Sequence, residues 1–204
     1  MEKFGLVVLG AHTGFHIKPE ILKCADKKVL LVEPVPYNIV EIKKNLSEFK
    51  NILIEPITIS DKAEIKKFYH LKASSFDRLK KHWASGIGSF NKDHLLNHKS
   101  KRFNIQESDI EEIQIQSIRF KDLVEKYSIE QIEKLIIDVE GSEYEILKDI
   151  DLEIIVIRKI IFEYKHFDGY QKTGDKLEEI LSKLNENNYK STRIDEENIL
   201  AEKI

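Results

Sequence analysis

Short apolar runs alternate with stretches of helical spacing along the first third of the chain. Leu6-Val7-Val8-Leu9 stops at Gly10, and Val29-Leu30-Leu31-Val32 stops at Glu33-Pro34. Ile52-Leu53-Ile54 continues less regularly to Ser60. Continuous runs of this kind, closed by Gly or Pro, predict strands buried on both faces. Residues 15–25 and 37–49 predict helices between them. Pro19 falls near the first turn of one, where proline is tolerated, and Ile39, Ile42, Leu46 and Phe49 mark the inner stripe of the other. Strand, helix, strand, helix, strand is the rhythm of a parallel sheet covered by helices.

The rhythm breaks over residues 61–112. Residues 66–71 predict an extra strand. The polar stretch 74–108 predicts a long inserted segment, a lid or substrate-binding element, because loops of this length inside a domain are usually functional. Residues 113–118 then predict an edge-type strand and 120–127 a helix. A fourth buried strand, 135–139, ends on Asp138, Glu140 and Gly141 and runs into a helix from Tyr144 to Ile150. A fifth, 159–162, ends on Glu163. Leu177, Ile180, Leu181 and Leu184 give an amphipathic helix over 175–187, and 189–194 and 198–204 pair as a terminal hairpin.

Composition narrows the class. The chain has 204 residues, 41% hydrophobic and 34% charged, with a net charge of −3. That suits one folded α/β domain over 1–204 and gives no basic footprint for nucleic acid. No apolar run approaches the ~20 residues that span a bilayer, and Met1-Glu2-Lys3 opens no signal-peptide pattern. Cys24 is the single cysteine, so no internal disulfide forms. The expectation is a cytoplasmic protein with a small-molecule or glycan partner, no nucleic acid and no membrane.

The chemistry collects at strand ends, where open α/β sheets bind ligands. Gly10-Ala11-His12-Thr13-Gly14 is a strand-to-helix turn whose glycines let backbone approach a ligand. It lacks the third glycine of the dinucleotide fingerprint and the lysine of a P-loop. Glu33-Pro34, about 20 residues past Gly14, stands where an acid accepts ribose hydroxyls. Ser60 and Asp61 follow the third strand, within reach of an adenine. Asp138 and Glu140 are paired carboxylates at a strand end, a pattern that marks functional clefts. Glu143, on the first helical turn, has a structural reading as good as a catalytic one. Glu163 faces the same crevice and His166 is a candidate base. Trp83 and Phe90 in the insert suit an acceptor ring. The histidines His12, His70, His82, His94 and His98 show no metal-ligand spacing, so no metal is expected from them. The Asp138, Glu140, Glu163 cluster is an alternative oxygen site for a divalent cation.

These motifs in this order resemble the FkbM family of S-adenosylmethionine-dependent methyltransferases. Asp138-Val139-Glu140-Gly141-Ser142-Glu143 is similar to the family's Asp-Val/Ile-Glu-Gly-x-Glu, Gly10 to Phe15 to its glycine loop, and Glu33-Pro34 to its Glu-Pro turn. The resemblance implies a Rossmann-like class I fold, with a seven-stranded, mostly parallel sheet and a C-terminal antiparallel strand. It implies S-adenosyl-L-methionine as cofactor and O-methylation of a hydroxyl on a sugar, glycan or related small molecule. Gly10, Ala11, His12, Thr13, Gly14, Glu33, Pro34, Ser60, Asp61 and Asp138 would hold the cofactor. Asp138, Glu140 and His166 are the candidate catalytic groups, and Trp83, Phe90 and Glu163 the candidate acceptor contacts. Two departures stand out: Val8 replaces the family's first-strand acid, and Ile136 its usual Lys. The chain opens on strand one without the family's preceding helix, so a homo-oligomer is one way to complete the cofactor lid. A non-catalytic cofactor-binding module and an NAD-linked oxidoreductase are the competing readings.

Overall fold

A computed structural model describes residues 2–79, 84–97, 104–169 and 172–204. In chain order the elements are β1 (Glu2–Leu9), α1 (Lys18–Leu22), β2 (Lys28–Val32), α2 (Pro36–Asn45), β3 (Ile52–Glu55), β4 (Thr58–Ile59), β5 (Glu64–Leu71), α3 (Phe76–Leu79), β6 (Gly88–Ser89), α4 (Lys92–Asn97), β7 (Ile110–Ile118), α5 (Phe120–Lys126), β8 (Ile129–Ile137), α6 (Glu143–Asp149), β9 (Val156–Glu163), α7 (Asp175–Glu186), β10 (Tyr189–Arg193) and β11 (Asn198–Lys203).

The main sheet has seven strands in the order β10-β11-β9-β8-β1-β2-β3. β3, β2, β1, β8 and β9 run parallel. β11 is antiparallel to β9 and to β10, so the terminal hairpin closes one edge. β1 lies between β2 and β8 at the centre, and its Leu6 to Leu9 are fully buried because both faces are covered. One face packs Phe4, Val7, Leu30, Leu135 and Phe162 against α5, α6 and α7. The other packs Leu6, Val8 and Leu31 against Ile21 of α1 and Ile42 of α2. Val8, one of the two departures noted from the sequence, is therefore a core residue.

A second sheet, β4-β7-β5-β6, is built from residues that interrupt the strand-helix rhythm. β5 and β7 pair antiparallel over their length, from Glu64↔Ser117 to Leu71↔Ile110. The strand expected as an edge over 113–118 is thus flanked on both sides, by β4 and β5. Its Glu112, Gln114 and Gln116 share one face and are exposed, so the strand reads as edge-like because that face is open. The fourth core strand, expected over 135–139, begins at Ile129 and ends at Ile137. Its polar first half belongs to the sheet because Glu133 and Lys134 are paired at its rim, Lys134 with Glu20 and Glu133 with Lys27. The helix expected over 15–25 is shorter, five residues of α1. No helix among the described residues is long and apolar enough to cross a membrane.

Candidate active site

Strand order reverses between β1 and β8, with β2 on the other side of β1. Turns leave the carboxyl ends there and open a crevice, as at other topological switch points. The turn after β1 is held close to the turn after β8. Asp138 donates its N–H to Leu9 O at 3.0 Å, and Gly10 and Ala11 both donate to Val32 O at 3.0 Å. Gly10 has φ +87°, and a Cβ on it would lie 1.7 Å from Asp138 O. Only glycine fits this crossing.

Glu33 ends β2 and is 4% exposed. Its Oε2 accepts from His12 N at 2.8 Å, and its Oε1 from Val35 N at 3.0 Å and from Asn38 Nδ2 at 3.1 Å. Oε1 is saturated and Oε2 has room for one more donor. Burial pushes the carboxyl up to about 7, against the pull of Asn38, Val35 and His12. Asn38 also donates Nδ2 to Ser85 O at 2.9 Å, and His12 Nε2 lies 2.5 Å from Ser85 Oγ. The inserted segment is therefore fastened over the β1 and β2 turns through Ser85.

The crevice leaves about 510 Å³ of space between the turns, part of it open to solvent. Val32, Ile57, Ile59, Phe68 and Phe90 form an apolar wall, and Gly10, Glu33, Asp138 and Glu140 the polar side. A second opening shares Gly10, Glu33, Asp138 and Glu140 and adds His12, His16 and Lys165.

The turn after β8 is shaped by Glu143. Buried at the start of α6, it accepts from Val139 N at 2.8 Å and from Gly141 N at 2.9 Å. It builds the turn, and burial pushes its carboxyl up to about 7. Asp138 is solvent-exposed along the crevice, yet crowding by the walls, then the charge of Glu140, pushes it up to about 6. Glu140 sits at φ +57°, an uncommon conformation for a residue with a Cβ. Burial alone would raise its carboxyl, but His166, His94 and the Lys165 charge outweigh that and hold it far below the usual range.

After β9, Glu163 accepts from Lys165 Nζ at 2.5 Å. Burial and the charge of Asp138 push Glu163 up to about 8, against that lysine. Burial would lower Lys165, but Glu140, Glu163 and Glu197 hold its ammonium above the ordinary lysine range. His166 Nε2 is 3.4 Å from Glu140 Oε2 and 3.8 Å from Glu163 Oε2.

The structure thus brings Gly10, His12, Glu33, Pro34, Phe90, Asp138 and Glu140 to one crevice, with Glu163 and His166 beside it. Ala11 and Gly14 are buried behind the loop, and Thr13 O accepts from Asn45 Nδ2 at 2.9 Å. Ser60 faces the second sheet, its Oγ 2.7 Å from Ser117 Oγ, and Asp61 is exposed beside Lys66. Ile57, Thr58 and Ile59 line the crevice where those two were expected. Trp83 lies outside the described residues. Sequence reasoning passed over Asn38, Ser85, Phe68 and Lys165. Asn38 and Lys165 had a signal, standing beside the Glu-Pro turn and between Glu163 and His166.

The model of the methyltransferase FkbM domain matches residues 9–191. No curated protein sequence matches the chain. Among solved structures, the chain is similar to the fibrillarin pre-rRNA processing protein of Methanococcus jannaschii, at 12% identity and TM-score 0.47, covering 98% of this chain and 66% of that one. It is similar to precorrin-6y C5,15-methyltransferase of Geobacter metallireducens, at 12% identity and TM-score 0.44, covering 100% and 82%. It is also similar to Aeropyrum pernix fibrillarin with natively bound S-adenosyl-L-methionine, at 10% identity and TM-score 0.42, covering 98% and 66%.

Proposed function

The chain belongs to the FkbM methyltransferase domain family, and from that premise we propose that its crevice binds S-adenosyl-L-methionine and methylates a hydroxyl oxygen of a sugar, glycan or related small molecule. The observation that carries the reading is Glu33, a buried carboxylate at the end of β2, facing the crevice beside Gly10 with one accepting position left.

The residues fit such a cofactor. Glu33 Oε2 accepts one ribose hydroxyl. The apolar wall of Val32, Ile57, Ile59 and Phe68 covers a flat base. Gly10 keeps the floor clear of side chain. Bound there, the cofactor supplies an electrophilic methyl group on a sulfonium.

Asp138 takes the proton from the acceptor hydroxyl as its oxygen attacks. A base works best with a pKa near the working pH, and Asp138, at about 6, meets that better than Glu140, which is held strongly acidic. Glu140 and His166 then orient the acceptor side. The insert, through Phe90 and the Ser85 contacts, shields the reacting atoms from water and fixes their approach.

Isothermal titration with S-adenosylmethionine and S-adenosylhomocysteine tests the reading. Micromolar binding that is lost in Glu33→Ala, with no binding of NAD, is expected. An acceptor screen over glycans then follows. Absence of binding by either methionine compound sinks the proposal and leaves a non-catalytic module.

A further inference from the structure

His94 on α4, Glu140 in the turn after β8 and His166 after β9 converge at the mouth of the crevice, from segments remote in sequence. His94 Nε2 lies 3.6 Å and His166 Nε2 3.4 Å from Glu140 Oε2. The three ligand atoms lie within 4.8 Å of one another, and the two rings are 5.0 Å apart at 73°. Both separations exceed an ordinary N–H···O hydrogen bond. Two donors about 2.1 Å from a tetrahedral ion are about 3.4 Å apart, which is the spacing found.

Two further observations converge here. Glu140 Oε2 is buried with no hydrogen-bond partner among the described residues, a condition that calls for an explanation such as an ion. Its backbone is held at φ +57°, and strain of this kind gathers at functional sites. The surroundings also favour a cation. Glu140, Glu163 and Glu197 crowd one ammonium, that of Lys165, at 3.8, 2.5 and 3.7 Å, with Asp138 close by. Lys165 keeps its short contact to Glu163 and leaves Glu140 to the histidines.

We propose that His94, Glu140 and His166 bind one divalent first-row transition-metal ion. Two imidazoles and a carboxylate suit zinc, manganese, iron, cobalt or nickel better than magnesium, which prefers oxygen. Three protein ligands leave a coordination position for water or an acceptor hydroxyl, on the crevice wall that carries Asp138. A hydroxyl at such an ion gives up its proton more readily. The ion also ties α4 to the ends of β8 and β9. The neighbouring Asp138, Glu143 and Glu163 are worse placed as a set, since Glu143 is occupied by backbone N–H groups and Glu163 by Lys165. The sequence expectation of no metal rested on spacing along the chain, which cannot show ligands from such distant segments. The proposal does not depend on methyl transfer.

The test uses the full chain, stripped with a chelator and titrated with Co²⁺ by visible absorption and with Zn²⁺ by calorimetry, without any methyl donor. One ion per chain is expected. Affinity should fall at least about 100-fold in His94→Ala and in His166→Ala, at the upper end of what even outer-sphere partners contribute. Thermal unfolding without metal checks that each variant folds. Where one does not, paramagnetically shifted imidazole resonances from two histidines in the Co²⁺-loaded wild type decide the matter. No binding by the wild type overturns the proposal. So does binding unchanged by both substitutions, absence of the shifted imidazoles, or binding lost in Asp138→Asn but kept in His94→Ala, which would put the ion among the acids.

Discussion

Gly10 and Asp138 cross so closely that one methyl group cannot fit between them: a Cβ on Gly10 would stand 1.7 Å from the Asp138 carbonyl oxygen. The β1 and β8 turns are one unit, and Gly10→Ala forces them apart while straining φ +87°. Overpacking of this kind costs about 1–3 kcal/mol. At about 2 kcal/mol the midpoint of thermal unfolding falls by roughly 4–8 °C for a chain of this size. Thermal scans of the variant should show that drop together with loss of S-adenosylmethionine binding. An unchanged midpoint would contradict the crossing.

Glu33 sets a pH dependence for ligand binding. Its carboxyl titrates at about 7 in the free protein, and a ribose hydroxyl donates best to the ionised form. Binding should therefore strengthen as pH rises through 7 and be about tenfold weaker at pH 6 than at pH 8, since one pKa unit is a factor of ten in the ionised fraction. Calorimetry across pH 5.5–8.5 reads this directly. Glu33→Gln should give a flat profile and weaker binding throughout.

Asp138 places function against stability. Its folded pKa, about 6, lies above the unfolded value of 3.8. Its contribution to stability is therefore full at low pH and is lost as pH rises through 6. Asn mimics the protonated acid. Asp138→Asn should match wild type in thermal midpoint near pH 4 and exceed it at pH 8, while turnover falls by about 10²–10⁴-fold with loss of the base. Melting curves at the two pH values and one methyl-transfer assay check both halves.

Ser85 holds the insert through its side chain to His12 and its carbonyl to Asn38. Ser85→Ala removes the first and keeps the second. Folding stability should change by no more than about 1 kcal/mol, the worth of one hydrogen bond, while the methyl donor dissociates several-fold faster in stopped-flow competition. An unaltered dissociation rate would separate the insert from ligand retention.

The main sheet was legible because each central strand is a continuous apolar run stopped by a charged or glycine residue. Gly10, Glu33 and Asp138 could be placed from those stops alone. The first half of β8 was not, since Glu130, Gln131 and Glu133 break the run, and their place at the rim depends on partners such as Lys27 and Arg158. The second sheet was hidden for another reason. Phe68↔Ile113 pairs strands some forty residues apart, and periodicity carries no record of partners. Ser60 shows the limit at the site: strand-end position suggested an adenine contact, while the fold turns its hydroxyl to Ser117.

That contact belongs to a clasp. Thr58↔Ser117 and Ile59↔Ile118 pair in parallel, and Ser60 donates its N–H to Ile118 O at 3.0 Å. Chain leaves the cofactor half and returns to it at one point, stitched shut. Everything between, from β5 to β7, starts and ends at that stitch and is fastened to the body again through Ser85 and Leu71. Its length can change without breaking a pairing of the seven-strand sheet, whereas its lining is tied to the crevice, because Phe68 and Phe90 stand in the same wall as Val32 and Ile59.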